Sequence, residues 1–401
     1  MFLEILIAIT LGVLAGTFTG LIPGVHVNLV ALLLALSSPL IPLPVFYICV
    51  IIICCAITHT FISSIPSIYL GAPDSDNALS VLPGHRYLFK GLGHVAVLYT
   101  IVGSLFSLVA CVALFPLFLI AIKAVYAIVS SFIGHLLAFT MAFMIIREKK
   151  LKKIIAAAAF FLISGSLGII TFNIAAFSNP LFHMLSGLFG ISLLVVSLIQ
   201  TSSLPKQSES DEFDLPLGVT ARSVAGATGM GFIAAFLPGF GSSQAAILAK
   251  EMLGDIGDKG FLILVGGINT ANMLLSLCTV YVLDKARNGA IVSVRELIGR
   301  VDHDTVLMFI LSALVAASFA TIVAIKVSLA FCRLIQKVHY PTLIIIIMTF
   351  IVILSFLFDG FLGLYLLLIS TFIGMCASIS GIGKNHLMGC LILPVIFYFL
   401  L

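Results

Sequence analysis

The chain has 401 residues, of which 61% are hydrophobic and 9% charged, with a formal net charge of +4 and a mean hydropathy of +1.28. Soluble domains carry roughly 25% charged residues, so a water-soluble globular fold is excluded. The small positive excess fits basic loops at a membrane surface and gives no sign of nucleic-acid binding.

Apolar runs of about 20 residues, each long enough to cross a hydrocarbon core, recur from end to end. They are continuous rather than alternating, which argues against a barrel. The expectation is an all-α polytopic membrane protein with about ten transmembrane helices. The first run, Met1 to Leu21, has no basic leader and is read as a span rather than a signal peptide.

That run meets "FTGLIPGVHVNLVALLLAL", where Pro23 and Gly24 break the helix and His26 and Asn28 follow. Proline removes a backbone donor and clashes one turn back, and glycine tolerates the conformations that result. Backbone groups freed in lipid need protein or a water-filled cavity. A helix restarting there points its unpaired N–H groups and positive dipole end at the membrane interior, a setting suited to an anion. The alternative is a plain proline kink. Next comes "ITHTFISSIPSIYLGAPDSDNALS", with His59, Thr60, Ser63 and Ser64 within two turns, a spacing that allows one helical face. Such groups at depth line a pathway or glue helices together. Pro73, Asp74, Asp76 and Asn77 read as a turn and N-cap, and Arg86 and Lys90 as charges of a solvated loop.

"REKKLKK", Arg147 to Lys153, is a strong marker of a cytoplasmic loop. The polar segment 201–217 then divides the chain into two membrane repeats, 1–200 and 218–401. A by-eye shift superposes Gly16 on Gly231, Pro23-Gly24 on Pro238-Gly239, and His59-Thr60 on Asn269-Thr270. The second break, "FLPGFGSSQ", is followed by Gly241, Ser242, Ser243 and Gln244, and the second polar span carries Asn269, Thr270 and Asn272. Basic residues change place between halves: "REKKLKK" has its counterpart in the charge-poor "LFDGF", while "AIKAVYAIVSS" faces the more basic "CRLIQKVHYP". That flip is the pattern of two inverted-topology repeats, with the 201–217 linker cytoplasmic and both termini outside. Lys250 reads as a snorkelling side chain rather than a substrate contact, and Lys384, between two late spans, could be either.

The eight cysteines show no CxxC and no zinc-like spacing, so no metal is expected. There is no Walker A, HExxH or GxSxG, which leaves neither a nucleotide-driven pump nor an enzyme as the expectation. No cofactor is implied, while coupling to H+ or Na+ stays open, with His26 and His59 as proton candidates.

The Pro-Gly break of "GLIPG", the segment "GAPDSDNALSVLPGHRYLFKGLGHVAV", the second break "LPGFG", the stretch "GGINTANMLLS" and the C-terminal "MGCLILPVIFY" resemble, in that order, the large membrane subunit of tripartite tricarboxylate transporters, the TctA family. The resemblance implies an ion-driven permease for organic anions such as di- or tricarboxylates. Its expected partners are a small membrane subunit and an extracytoplasmic binding protein. His26, at a position usually small in that family, and Pro73-Asp74-Ser75 mark the chain as divergent, an archaeal branch being the expectation. A second reading uses the same breaks for a lipid phosphate, as in a polyprenyl-phosphate flippase.

Overall fold

The computed structural model describes residues 2–22, 27–71, 79–148, 150–199, 205–210, 212–237, 240–286, 288–337 and 340–400, and among these there is no strand. Apolar runs in lipid have no water to bond their backbone, so each run closes its own hydrogen bonds as a helix. The first half contains α1 (Phe2–Leu21), α2 (Val27–Ser37), α3 (Val45–Ile62), α4 (Ser64–Leu70), α5 (Val81–Leu88), α6 (Gly93–Ala113), α7 (Phe115–Ile146), α8 (Leu151–Asn173), α9 (Pro180–Leu185) and α10 (Ser192–Ile199). A π-helical turn, Ser186–Ile191, joins the last two. The second half contains α11 (Leu217–Phe236), α12 (Ser242–Leu253), α13 (Gly257–Leu283), α14 (Gly289–Ile298), α15 (His303–Lys337), α16 (Tyr340–Ile379) and α17 (Gly389–Leu400).

Seven helices among the described residues are long and apolar enough to cross a membrane, and α7 makes an eighth although it bends by 76°. The stretches 180–196 and 384–400 are shorter apolar helices. The polytopic, all-helical expectation is met. Helix α16 is two arms, because Asp359 and Gly360 leave helical geometry between them. Gly360 takes φ 58° and ψ −142°, a conformation that side chains forbid.

Contacts define two ends. At one, the Ser208 N–H donates to the Gly91 carbonyl (2.7 Å) and the Tyr99 hydroxyl to the Asp214 carbonyl (2.9 Å), which pins the linker. Ion pairs Lys259–Asp214, Arg333–Glu209, Arg86–Asp258 and Arg147–Glu251 gather at this linker end. They are exposed, so each is worth roughly 0–1 kcal/mol. At the opposite end the Tyr47 hydroxyl donates to Glu4 (2.7 Å), and Arg295 grips Asp284 through two bonds of 2.9 Å.

Helices meet through glycine. Along α1, Gly12, Gly16 and Gly20 lie against Cys54, Cys55 with Thr58, and Ile62 of α3. In the second half Gly231 of α11 lies against Ala271 of α13. A Cβ at Gly103 in α6 would land on the Ile263 carbonyl of α13, and one at Gly266 in α13 on the Thr100 carbonyl of α6. Small residues let backbones approach this closely where lipid offers no hydrophobic drive to associate. Gly187 packs on Ser370 in the second arm of α16, and Gly389 packs on Ser164 in α8. The halves thus exchange matching contacts.

Candidate functional site

Each half contributes a hairpin. The Tyr47–Glu4 bond holds the start of α3 beside the start of α1. Only residues 38–44 separate α2 from α3, so α2 must return toward the end from which α1 set out. On the other side, Gly226 in α11 abuts Leu253 at the last turn of α12, so this hairpin starts and finishes at the linker end. Two hairpins therefore enter from opposite ends. The sequence candidates Pro23, Gly24 and His26, and Pro238 and Gly239, lie outside the described residues.

The helices behind the turns carry most of the polar residues singled out from the sequence. The Thr60 and Thr270 hydroxyls hydrogen-bond each other across α3 and α13 at 2.8 Å, both buried. These two threonines are the pair that the sequence shift superposes. One residue earlier, His59 bonds through Nδ1 to the Thr19 hydroxyl of α1 (3.0 Å). Thr19, two residues short of the α1 terminus, was not among the sequence candidates. It falls inside the first quoted break, where its spacing to the proline gave no hint of a partner. Ser63 caps α3 at the bend into α4 and its carbonyl accepts the Ser67 hydroxyl (3.1 Å).

At the start of α12 the Gln244 side chain folds back to accept the Gly241 N–H (3.0 Å). Glycine has no side chain to complete a reciprocal cap, so this terminus is capped from the Gln244 side. The Asn272 amide donates to the Ser242 hydroxyl at a long 3.5 Å, which ties α13 to this terminus. Asn269, 4% exposed, holds its amide nitrogen without a hydrogen-bond partner. A buried donor without a partner is rare in a native fold.

Asn28 plays a more structural part than the sequence indicates. Its carbonyl oxygen accepts the Ala290 N–H (3.0 Å), which Asn288 also caps (3.0 Å), so α2 and α14 are clamped together. Gly289 leaves room for it. Among the described residues no group of three His, Cys, Asp or Glu is placed to hold a metal.

Paired hairpins meeting at buried polar spans define a polytopic membrane protein of transporter class. Residues 6–389 match the family model described as the tripartite tricarboxylate transporter TctA family, and the chain belongs to that family. It is 29% identical over 405 residues to an uncharacterized protein of Methanocaldococcus jannaschii, covering 98% of this chain and 99% of that one. No solved structure matches it.

Proposed function

We propose that the chain is the permease of a secondary transport system that carries an organic anion, such as a di- or tricarboxylate, between the two hairpin turns. The observation that carries this is the buried Asn269 amide nitrogen without a hydrogen-bond partner, one turn along α13 from the Asn272 that bonds Ser242 at the start of α12. It is a donor, and no buried carboxylate offsets it among the hydrogen bonds described there. Thr60 and Thr270 form the floor of the site. The two halves act as inverted repeats that rock about that floor, driven by H+ or Na+. The family's tripartite name supports a small membrane subunit and an extracytoplasmic binding protein as partners.

A binding measurement tests the site. Citrate at about 100 times its dissociation constant should stabilise the purified protein by about 2.7 kcal/mol and raise its melting midpoint. Ser243→Ala and Asn269→Leu should each remove most of that rise. Undiminished shifts in both would end the reading. Polyprenyl phosphate belongs in the same screen: stabilisation by it, with none from carboxylates, would reassign the site to a lipid carrier.

The linker end collects Arg86, Arg147, Lys150, Lys153, Lys206 and Lys259, which supports a cytoplasmic linker. Ser210 is exposed there, and Cys376 is an exposed thiol to be removed first. With Cys376→Ser as background, Ser210→Cys should react with an impermeant maleimide in inverted vesicles and stay unlabelled in intact cells. Labelling of intact cells would reverse the orientation.

A further inference from the structure

A cavity of about 940 Å3 opens at the linker end, at the far end of α12 from the hairpin turn. Its walls come from the starts of α5, α8 and α13, the ends of α7 and α12, and the turn before α17. The volume falls within the usual range of small-molecule sites, about 300–1,000 Å3. Its charges are unevenly satisfied. Each acid on the wall has a donor: Glu251 takes Arg147 (3.1 Å), Asp258 takes Arg86 (2.7 Å), Glu148 takes His386 (3.3 Å), and Asp255 takes the Gly257 N–H (3.0 Å).

The lysines do not have such partners. Lys150, Lys153, Lys250 and Lys384 all line the cavity, and none has an ion pair among the described residues. Lys153 reaches only the Gly381 carbonyl (3.4 Å), and Lys250 lies over the Phe261 ring (5.6 Å). Lys384 is the unusual one. It is 8% exposed, and it donates to the Ser192 hydroxyl (2.8 Å) and the Leu188 carbonyl (3.4 Å) of the π-helical turn and α10. A buried ammonium held by neutral acceptors alone is costly, and the usual remedy is a counter-ion. Lys384 lies in the turn ahead of α17, outside the long spans, and burial pushes its pKa down to about 7. An oxyanion beside it would keep it charged.

A further donor lies nearby. His85 of α5 is buried with neither ring nitrogen bonded, and the Lys384 charge acts on it; its neutral ring has one N–H to give. His386, two residues beyond Lys384, gives its Nε2–H to Glu148, which leaves its buried Nδ1 an unbonded acceptor. An unsatisfied buried donor beside a cation without a counter-ion points to a missing acceptor.

We propose that this cavity is a second oxyanion site, in which a multiply charged carboxylate or phosphate binds against Lys384, separate from the hairpin turns. Carboxylate as the occupant rests on the transport reading above; phosphate would not. The exposed lysines draw the ion in, and Lys384 anchors it. The site forms a station at the linker end of the path, sharing α12 as a wall with the central site.

Calorimetric titration of the purified full chain with citrate, and separately with inorganic phosphate, tests this. Wild type should show two citrate events. Lys384→Met should weaken one at least tenfold, as expected for loss of a charge-assisted bond, while its melting point without ligand stays at the wild-type value. Lys150→Gln/Lys153→Gln, which touches no buried residue, should weaken the same event several-fold and lower its salt dependence. Ser243→Ala should abolish only the other event. If phosphate alone produces the Lys384-dependent event, the site is a phosphate site, and the proposal stands with that occupant. Citrate and phosphate binding that ignores Lys384→Met and the double variant overturns it, as does absence of binding by wild type. Loss of the Lys384 event with Ser243→Ala silent would keep this site and sink the central one.

Discussion

Gly103→Ala should destabilise the protein by about 3 kcal/mol, the upper part of the usual cost of overpacking. The added methyl would overlap the Ile263 carbonyl of α13, which is backbone and cannot turn aside as a flexible side chain would. Relief requires α6 and α13 to separate, and that separation also strips the reciprocal contact at Gly266. The Ser104 hydroxyl, which donates to the Gly266 carbonyl at 3.0 Å, would lose its acceptor in the same movement. Because α13 carries Asn269 and Thr270, anion binding should fall together with stability. Gly229→Ala is the control: nothing lies within 4 Å of a Cβ there, and α11 is helical at that point. It should be neutral or stabilising by up to about 1 kcal/mol. Melting of the two purified variants decides the matter, and equal midpoints would show that the helices do not cross as closely as described.

The parts of this architecture readable from sequence are those set by local composition. Twenty-residue apolar runs must become helices in lipid, and Pro-Gly pairs must interrupt them. The Pro-Gly pairs at 23–24 and 238–239 therefore announce two interrupted spans, discontinuous or re-entrant, and "REKKLKK" announces the end at which the linker lies. What sequence does not carry is pairing between distant residues. Asn28 looks like an anion contact because it opens a broken helix, and nothing near it in the chain shows that its side-chain oxygen also clamps Ala290, 262 residues away. Lys384 reads as either an interface charge or an anion contact, and only the structure shows α10 closing over it. Asp359 reads only as the charge-poor counterpart of a basic loop, since nothing nearby in the chain explains why an acid should follow "FLF".

The structure gives that acid a demanding role, and its loss should be at least as damaging as the change at Gly103. Asp359 sits at the break in α16 with a side chain 1% exposed. One carboxylate oxygen accepts the Ser178 N–H (2.6 Å), and the other accepts the Asn179 N–H (3.0 Å) and contacts His183 Nε2 (2.6 Å). His183 is fully buried, and its Nδ1 bonds the Ser355 hydroxyl (2.8 Å) of the first arm of α16. The carboxylate thus closes the turn between α8 and α9 onto the break and fixes the angle between the two arms. Asp359→Ala leaves two backbone donors and a histidine without partners, and should cost about 3–5 kcal/mol, the range for breaking a buried charged pair. Asp359→Asn should cost less, because one amide oxygen can still accept an N–H, although the amide nitrogen then faces donors. If the pair acts as a unit, His183→Ala combined with Asp359→Ala should cost clearly less than the sum of the single changes. Additive melting losses in that cycle would mean that His183 and Asp359 stabilise the fold independently and that the clasp is not a unit.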